Sequence, residues 1–255
     1  MKVIYQPKGR ALEYSPLAVN LYTGCNHGCK YCYAPAIMRL SKEDFKKVHK
    51  RSNIIRNFEA DAKLLAGSDK PILFCFMTDP YNALESTECV TRSCLEIALK
   101  YNLRIRILTK ALDLPMRDMD LFTKFKDRIS IGVTMTFFDI KDSLKWEPGA
   151  SSPPERIALL KNMKTLKVPT WASFEPVINP RQSLMLMDEI LDCCDHFKIG
   201  KLNNFQGLDK KIDWSDFLSK TVNKLRMANK SFYIKADLRL AAPNIKLNPI
   251  EVKNE

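Results

Sequence analysis

Ile129-Ser130-Ile131-Gly132-Val133-Thr134-Met135-Thr136 carries Ile129, Ile131, Val133 and Met135 on one face of an extended chain and only Ser130, Gly132, Thr134 and Thr136 on the other, because successive side chains of a strand point to opposite faces. An apolar face opposite a small polar one fits the wall of a barrel with room in its lumen better than a sheet sandwiched between two helix layers. Outward from this segment, Leu17 to Tyr22, Pro71 to Met77, Leu103 to Leu108, Thr170 to Phe174 and Phe197 to Leu202 read as five further strands, each followed by polar or turn residues.

Helical patterns lie between them. Ser152-Pro153-Pro154-Glu155 is a capping box with proline in the first turn, and Ile157, Leu160, Met163 and Leu166 follow at helical spacing. Leu184, Met187, Ile190, Leu191 and Cys194 form a second apolar stripe. Strands alternating with helices imply right-handed βα units. The expected fold is therefore α/β, a partial (βα)6 TIM-type barrel with parallel strands over residues 1–205. Residues 206–255 read as a short helix-strand extension packed on that core: a helix with Trp214, Phe217, Leu218, Val222 and Leu225 on one face, a strand from Ser231 to Ala236, and a loose polar tail from about residue 243.

Of the 255 residues, 45% are hydrophobic and 27% charged, which excludes disordered, collagen-like and fibrous classes. The longest clean apolar run, Ile72 to Met77, falls far short of the roughly 18 residues of a membrane helix, and no signal-length apolar segment precedes Gly9 and Arg10. The expectation is a cytoplasmic protein with no membrane partner. In a reducing compartment its eight cysteines serve metal or redox chemistry more often than disulfides. The 41 lysines and arginines against 29 acids leave a charge of +12, which favours a polyanionic partner such as nucleic acid.

Directly after the first strand stands Gly24-Cys25-Asn26-His27-Gly28-Cys29-Lys30-Tyr31-Cys32-Tyr33-Ala34-Pro35. The C-x3-C-x2-C spacing lets three thiolates converge on one inorganic centre. A structural zinc site wants four ligands, and four cysteines also close a cubane. With three, one iron of a four-iron cluster keeps an open position, as a catalytic centre needs. The alternative is a Cys3His zinc site completed by His27 or His49, which would make the chain a zinc-stapled, non-catalytic nucleic-acid-binding module. Neither histidine stands in a second metal hook of the kind zinc modules show.

These residues resemble the radical S-adenosylmethionine superfamily, and their flanks resemble its spore photoproduct lyase-like branch: Tyr5 to Tyr14, Asn20-Leu21-Tyr22-Thr23-Gly24, Thr78-Asp79-Pro80-Tyr81 with Glu85, Thr91-Arg92, Thr109-Lys110, Arg117-Asp118, Glu147-Pro148 and Arg156. The resemblance implies that Cys25, Cys29 and Cys32 ligate a [4Fe-4S] cluster whose fourth iron is chelated by S-adenosyl-L-methionine. It implies reductive cleavage to a 5'-deoxyadenosyl radical, hydrogen abstraction from a substrate, a lyase or transferase outcome, and an electron donor such as flavodoxin or ferredoxin. It further implies cofactor contacts at Tyr31 and Tyr33, at Thr78 and Asp79, where an acidic motif accepts from the methionyl amine, and at Lys110 and Thr134. A cationic Lys110 suits a cofactor carboxylate, and the implied positions gather at C-terminal strand ends, where barrel sites are built.

Cys75 is the candidate catalytic residue, a radical relay, because that branch keeps a cysteine just before the corresponding Ser-Asp pair. The offset here is shifted by one residue, and core packing competes with the role. His27 reads as a hydrogen-bonder beside the ligands, and Cys89, Cys94, Cys193 and Cys194 lack metal spacing. Lys42, Lys46, Lys47, Lys50, Arg51 and Arg56 suit either phosphates or a solvated face. Tyr81, Trp146, Trp171 and Phe174 suit either base stacking at the mouth or packing. Glu175-Pro176, at the end of the fifth strand, is placed to line the site.

Overall fold

The structure is a computed structural model and describes residues 2–203, 205 and 207–253. Its main sheet runs in strict chain order: β1 (Leu17–Val19), β2 (Ile72–Phe74), β3 (Ile105–Thr109), β4 (Ile129–Thr134), β5 (Thr170–Phe174), β6 (His196–Ile199) and β7 (Ser231–Ile234). Every neighbouring pair is parallel, and β1 and β7 are the two edges of an open sheet. The seventh strand, from the C-terminal extension, therefore continues the same sheet. No helix among the described residues is long and apolar enough to cross a membrane.

The helices α1 (Ile54–Leu64), α2 (Val90–Lys100), α3 (Met119–Phe125), α4 (Pro153–Thr165), α5 (Pro180–Ile190) and α6 (Trp214–Met227) supply the other half of the core. Ile105, Ile107, Ile129, Ile131, Val133, Ala172, Phe197 and Ile234 share one buried cluster with Phe58, Leu95, Phe122, Leu160, Leu186 and Leu218 from these helices. Both ends of α4 are set locally: the Ser152–Glu155 capping box forms, and Leu166 N–H returns to Asn162 O at 3.1 Å.

The opposite, concave face is polar in rows that the register fixes. Thr134, Ser173, Lys198 and Tyr233 are successive neighbours across β4 to β7. Deeper in, Leu108, Gly132 and Trp171 align. The room expected beside Gly132 is taken by Trp171: a Cβ on Gly132 would collide with the indole ring, first at Cε2. Trp171 thus packs the lumen floor with Ala18, Leu73 and Tyr14.

Three strands are shorter than their apolar runs. β1 stops at Val19 because Asn20 turns its side chain across the gap, its Oδ1 accepting from Phe76 and Met77 N–H at 2.9 and 3.0 Å. β2 stops at Phe74 because Cys75 has φ +60°, a left-handed conformation that breaks strand alternation. β6 ends at Ile199, and Gly200 follows under Glu175. The tail is a correction: it is docked rather than loose. Asn248 and Glu251 form a capping box, and Glu251, 3% exposed, takes Arg226 Nε and Nη2 at 2.7 Å each, a bidentate pair.

Candidate active site

The chain leaves β1, pairs Tyr22–Thr23 antiparallel with His49–Lys50, and enters the cysteine loop. Cys25 N–H donates to Phe45 O at 2.7 Å, Lys30 N–H to Trp146 O at 2.8 Å, and Cys32 N–H to Cys29 O at 3.1 Å. Thr78 Oγ1 donates to Gly24 O. The loop is thus strapped to segments after β1, β2 and β4. Cys25, Cys29 and Cys32 are free and half-buried. Burial, then Asp79, pushes the Cys25 thiol up to about 12. Burial also pushes Cys29 up to about 11 against the opposing pull of Lys110. Such thiols ionise when a metal compensates their charge, and binding then releases protons.

His27 connects this loop to the barrel. Its Nδ1 lies 2.7 Å from Gly149 O and its Nε2 2.9 Å from Asp79 Oδ2. Asp79 also accepts from Lys110 N–H at 2.8 Å, Thr109 Oγ1 at 2.7 Å and Tyr81 N–H at 2.8 Å. Burial alone would raise its pKa, but His27, Thr109 and the Lys110 amide outweigh that and hold it below the ordinary carboxylate value. A carboxylate offers about four acceptor positions, and here the chain itself fills four. The resemblance assigns Asp79 to a cofactor amine; the structure makes it the clamp between loop, β2 and β3.

Tyr31 is held similarly. Its hydroxyl donates to Glu147 Oε1 and lies 3.2 Å from Thr136 Oγ1. Arg156, 1% exposed, donates to Glu147 Oε2 at 2.5 Å, Thr134 O at 2.9 Å and Ser151 O at 2.8 Å. The capping box that starts α4 sets Arg156 in its first turn, so helix start and strand end are locked together. Lys110 stands with its Nζ 5.6 Å from the Tyr31 ring centroid. Burial works against its charge, but Cys29 and Glu147 outweigh burial and raise its pKa. Its ammonium makes no hydrogen bond or ion pair to the described residues. Tyr33 is 48% exposed and its ring lies 6.2 Å from Phe76. Cys75 is elsewhere: 4% exposed in the main core, its Sγ 3.5 Å from Leu21 N. The left-handed turn at Cys75 puts Phe76, not the thiol, on the lumen side.

The facing wall is built around Glu175, placed there by its position after the fifth strand, and adds Glu13, Lys198, Tyr233 and Lys235, which pattern reading did not select. Tyr14 hydroxyl donates to Glu175 Oε2 at 2.5 Å and lies 3.0 Å from Ser173 Oγ. Lys235 pairs with Glu175 and sits 4.4 Å over the Tyr14 ring. Tyr233 hydroxyl donates to Glu13 Oε1 at 2.8 Å, and Lys198 Nζ to Glu13 O at 2.8 Å. Gly200 admits Glu175, whose Cδ would lie 2.8 Å from a Cβ there. Strand parity places Lys198 on the lumen face and so offers a signal for it. Nothing local shows that Glu13 and Tyr14 cross the barrel to meet it.

These residues fit a cluster held at three corners. The donor set is three soft thiols on one braced loop; Cys75, Cys94, Cys193 and Cys194 are buried in the core. Among the described residues no group of three or more His, Cys, Asp or Glu is placed to hold a single metal ion. In a four-iron cluster each of the three cysteine thiolates would bind a different iron, so the three sulfurs need not meet at one point. Of the two histidines that could complete a Cys3His site, His27 has both ring nitrogens engaged by Gly149 O and Asp79, and His49 is exposed in the ribbon opposite Thr23.

Comparison with known proteins places these features in context. A model of the Radical SAM superfamily matches residues 19–194. The uncharacterized protein MJ0683 of Methanocaldococcus jannaschii is 32% identical over 165 residues, 63% of this chain, and the match spans only about 60% of that relative's length. The uncharacterized protein ORF301 of Acidianus two-tailed virus is 23% identical over 214 residues, covering 75% of this chain and 68% of the viral one. A spore photoproduct lyase complexed with dinucleoside spore photoproduct superposes at a TM-score of 0.66 with 14% identity, over 90% of this chain and 79% of that one. Streptococcus suis SuiB bound to S-adenosylmethionine gives 0.67 with 14% identity, over 91% and 53%. At these identities the structural likenesses establish the fold.

Proposed function

The chain belongs to the radical S-adenosylmethionine superfamily, and from that premise we propose that it is an enzyme holding a [4Fe-4S] cluster on Cys25, Cys29 and Cys32, with S-adenosyl-L-methionine on the remaining iron. When bound, the cluster supplies the electron that cleaves the sulfonium to methionine and a 5'-deoxyadenosyl radical able to take hydrogen from a substrate. The observation that carries this reading is a braced loop of three free thiols with the Lys110 ammonium 5.6 Å from the ring of Tyr31, between Cys29 and Cys32 in the chain, and with no hydrogen bond or ion pair from that ammonium among the described residues. That ammonium suits the cofactor carboxylate. Thr134 lines the polar concave row, and Asp79 fixes loop and strands rather than the cofactor. Tyr14, Glu175 and Lys235 hold one another in a hydrogen-bonded and ion-paired wall, which in this reading would bound the substrate.

We further infer that the substrate is presented by nucleic acid. The +12 charge supports this, as does the shared fold with a spore photoproduct lyase whose structure holds a dinucleoside spore photoproduct.

Anaerobic reconstitution tests the central reading. The expected result is brown protein with about four irons per chain that releases 5'-deoxyadenosine on reduction with S-adenosylmethionine, lost in Cys29→Ala. Colourless protein carrying stoichiometric zinc contradicts it. Deuterium passing from a labelled oligonucleotide into 5'-deoxyadenosine supports the substrate class; affinity for the oligonucleotide that does not fall with rising salt opposes it.

A further inference from the structure

Immediately after Cys32 the chain forms a five-residue helical turn, Ala34–Met38, whose inward side chains are Ala34 and Pro35. Its outward side is apolar: Ile37 is 64% exposed, Tyr33 48% and Leu40 38%. The turn is ordered by Ile37 N–H to Tyr33 O at 3.3 Å and Leu40 N–H to Pro35 O at 3.0 Å, so these side chains are held on the surface. Cations rim them. Lys30, Arg39 and Lys42 are exposed, and none of the three pairs with a carboxylate among the described residues; Lys42 Nζ instead donates to Lys30 O at 3.0 Å. Residues 30–51 hold seven of the basic residues and two of the acidic ones. Those two, Glu43 and Asp44, are neutralised by Lys46 and Lys47 at 3.1 and 2.8 Å.

We propose that this face is the docking site of a small acidic protein that carries single electrons. The proposal rests on the function proposed above. Exposed aliphatics inside a charged rim have the anatomy of a protein interface, whereas a nucleic-acid footprint has no use for Ile37 and Leu40. Unpaired cations select a negative partner. They also disfavour a second copy of this chain, which carries the same excess of positive charge. Position supplies the redox part: the patch begins at Tyr33, covalently next to the ligand Cys32, and electron transfer falls steeply with distance. The carrier gives up one electron and is oxidised, the cluster gains it, and no atom moves.

The test uses the reconstituted holoenzyme and a plant-type [2Fe-2S] ferredoxin of strongly negative net charge. Calorimetry measures binding of the oxidised ferredoxin, which requires no turnover. The double variant Ile37→Asp/Arg39→Glu is expected to weaken binding by about tenfold or more. It is also expected to slow ferredoxin-driven 5'-deoxyadenosine formation to match, with the dithionite-driven rate unchanged. The control Lys63→Glu/Lys70→Glu makes at least as large a charge change on exposed lysines. Its Lys70 lies before β2, at the sheet end opposite the cysteine loop, and the control is expected to leave binding within about twofold. Equal weakening by both pairs, or wild-type binding by Ile37→Asp/Arg39→Glu, overturns the docking face. If wild-type protein yields no deoxyadenosine even with dithionite, the proposed function fails, and the calorimetric comparison still decides the face.

Discussion

His27 Nε2 and Asp79 Oδ2 stand 2.9 Å apart although 52 residues separate them, and this contact joins the cysteine loop to the barrel. With Lys110 N–H on the same oxygen, the carboxylate sets the loop, the end of β2 and the end of β3 at once. Asp79→Asn turns one donor group against another, and a buried unsatisfied group costs about 1–3 kcal/mol. Urea unfolding of the iron-free protein is expected to show a loss of that size with an unchanged m-value. His27→Ala is expected to lower the iron retained after reconstitution while leaving most of that stability in place.

Gly132 and Trp171 predict a packing coupling. Gly132→Ala sets a methyl against the indole, and overpacking a core costs about 1–3 kcal/mol. Trp171→Phe empties part of that space. Equilibrium unfolding of both single variants and the double variant is expected to show that Gly132→Ala costs markedly less in the Trp171→Phe background. Strict additivity would mean that the indole does not occupy the Gly132 site.

Glu147 predicts an acid-dependent term. Burial raises its pKa, but Arg156 and Lys110 outweigh that and lower it below the ordinary value. A carboxyl depressed in the folded state contributes stability above its unfolded pKa of about 4.3 and loses it as pH falls through the folded value. The difference in unfolding free energy between wild type and Glu147→Gln is expected to be constant from about pH 6 to 7 and to shrink below about pH 4.3. A difference that grows on acidification contradicts the Arg156 pairing.

Much of this architecture was readable from periodicity. Short apolar or alternating runs located the seven strands of the main sheet but not the Tyr22–Thr23 and His49–Lys50 pair, and the Ser152–Glu155 box located α4, because local chemistry determines both. The C-x3-C-x2-C loop likewise pointed to the superfamily whose model matches residues 19–194. Three features depend on contacts between distant segments. The Cys75 backbone enters the left-handed region, which no residue type there advertises. The last helical turn is pinned by Arg226, 25 residues before Glu251. Trp171 fills the space that Gly132 leaves, so the small polar face of β4 reads as open until its neighbour in the sheet is known.

Lys110 offers a direct check on cofactor recognition. Its ammonium makes no ion pair with the described residues and lies 5.6 Å from the Tyr31 ring, so under the proposed function Lys110→Gln is expected to remove a charge-assisted contact to the cofactor without breaking an ion pair of the fold. Such contacts are worth roughly 1.5–3 kcal/mol. Equilibrium dialysis of the reconstituted protein is expected to show S-adenosylmethionine binding weakened by about 10- to 100-fold, with iron content unchanged.

The most direct test of the whole account is the electron paramagnetic resonance spectrum of the reduced, reconstituted protein before and after S-adenosylmethionine is added. If only Cys25, Cys29 and Cys32 hold the iron, the cofactor coordinates the remaining site and the signal changes in shape and g-values. A four-iron signal indifferent to the cofactor would mean that the fourth corner is already occupied by the protein, and would contradict the account.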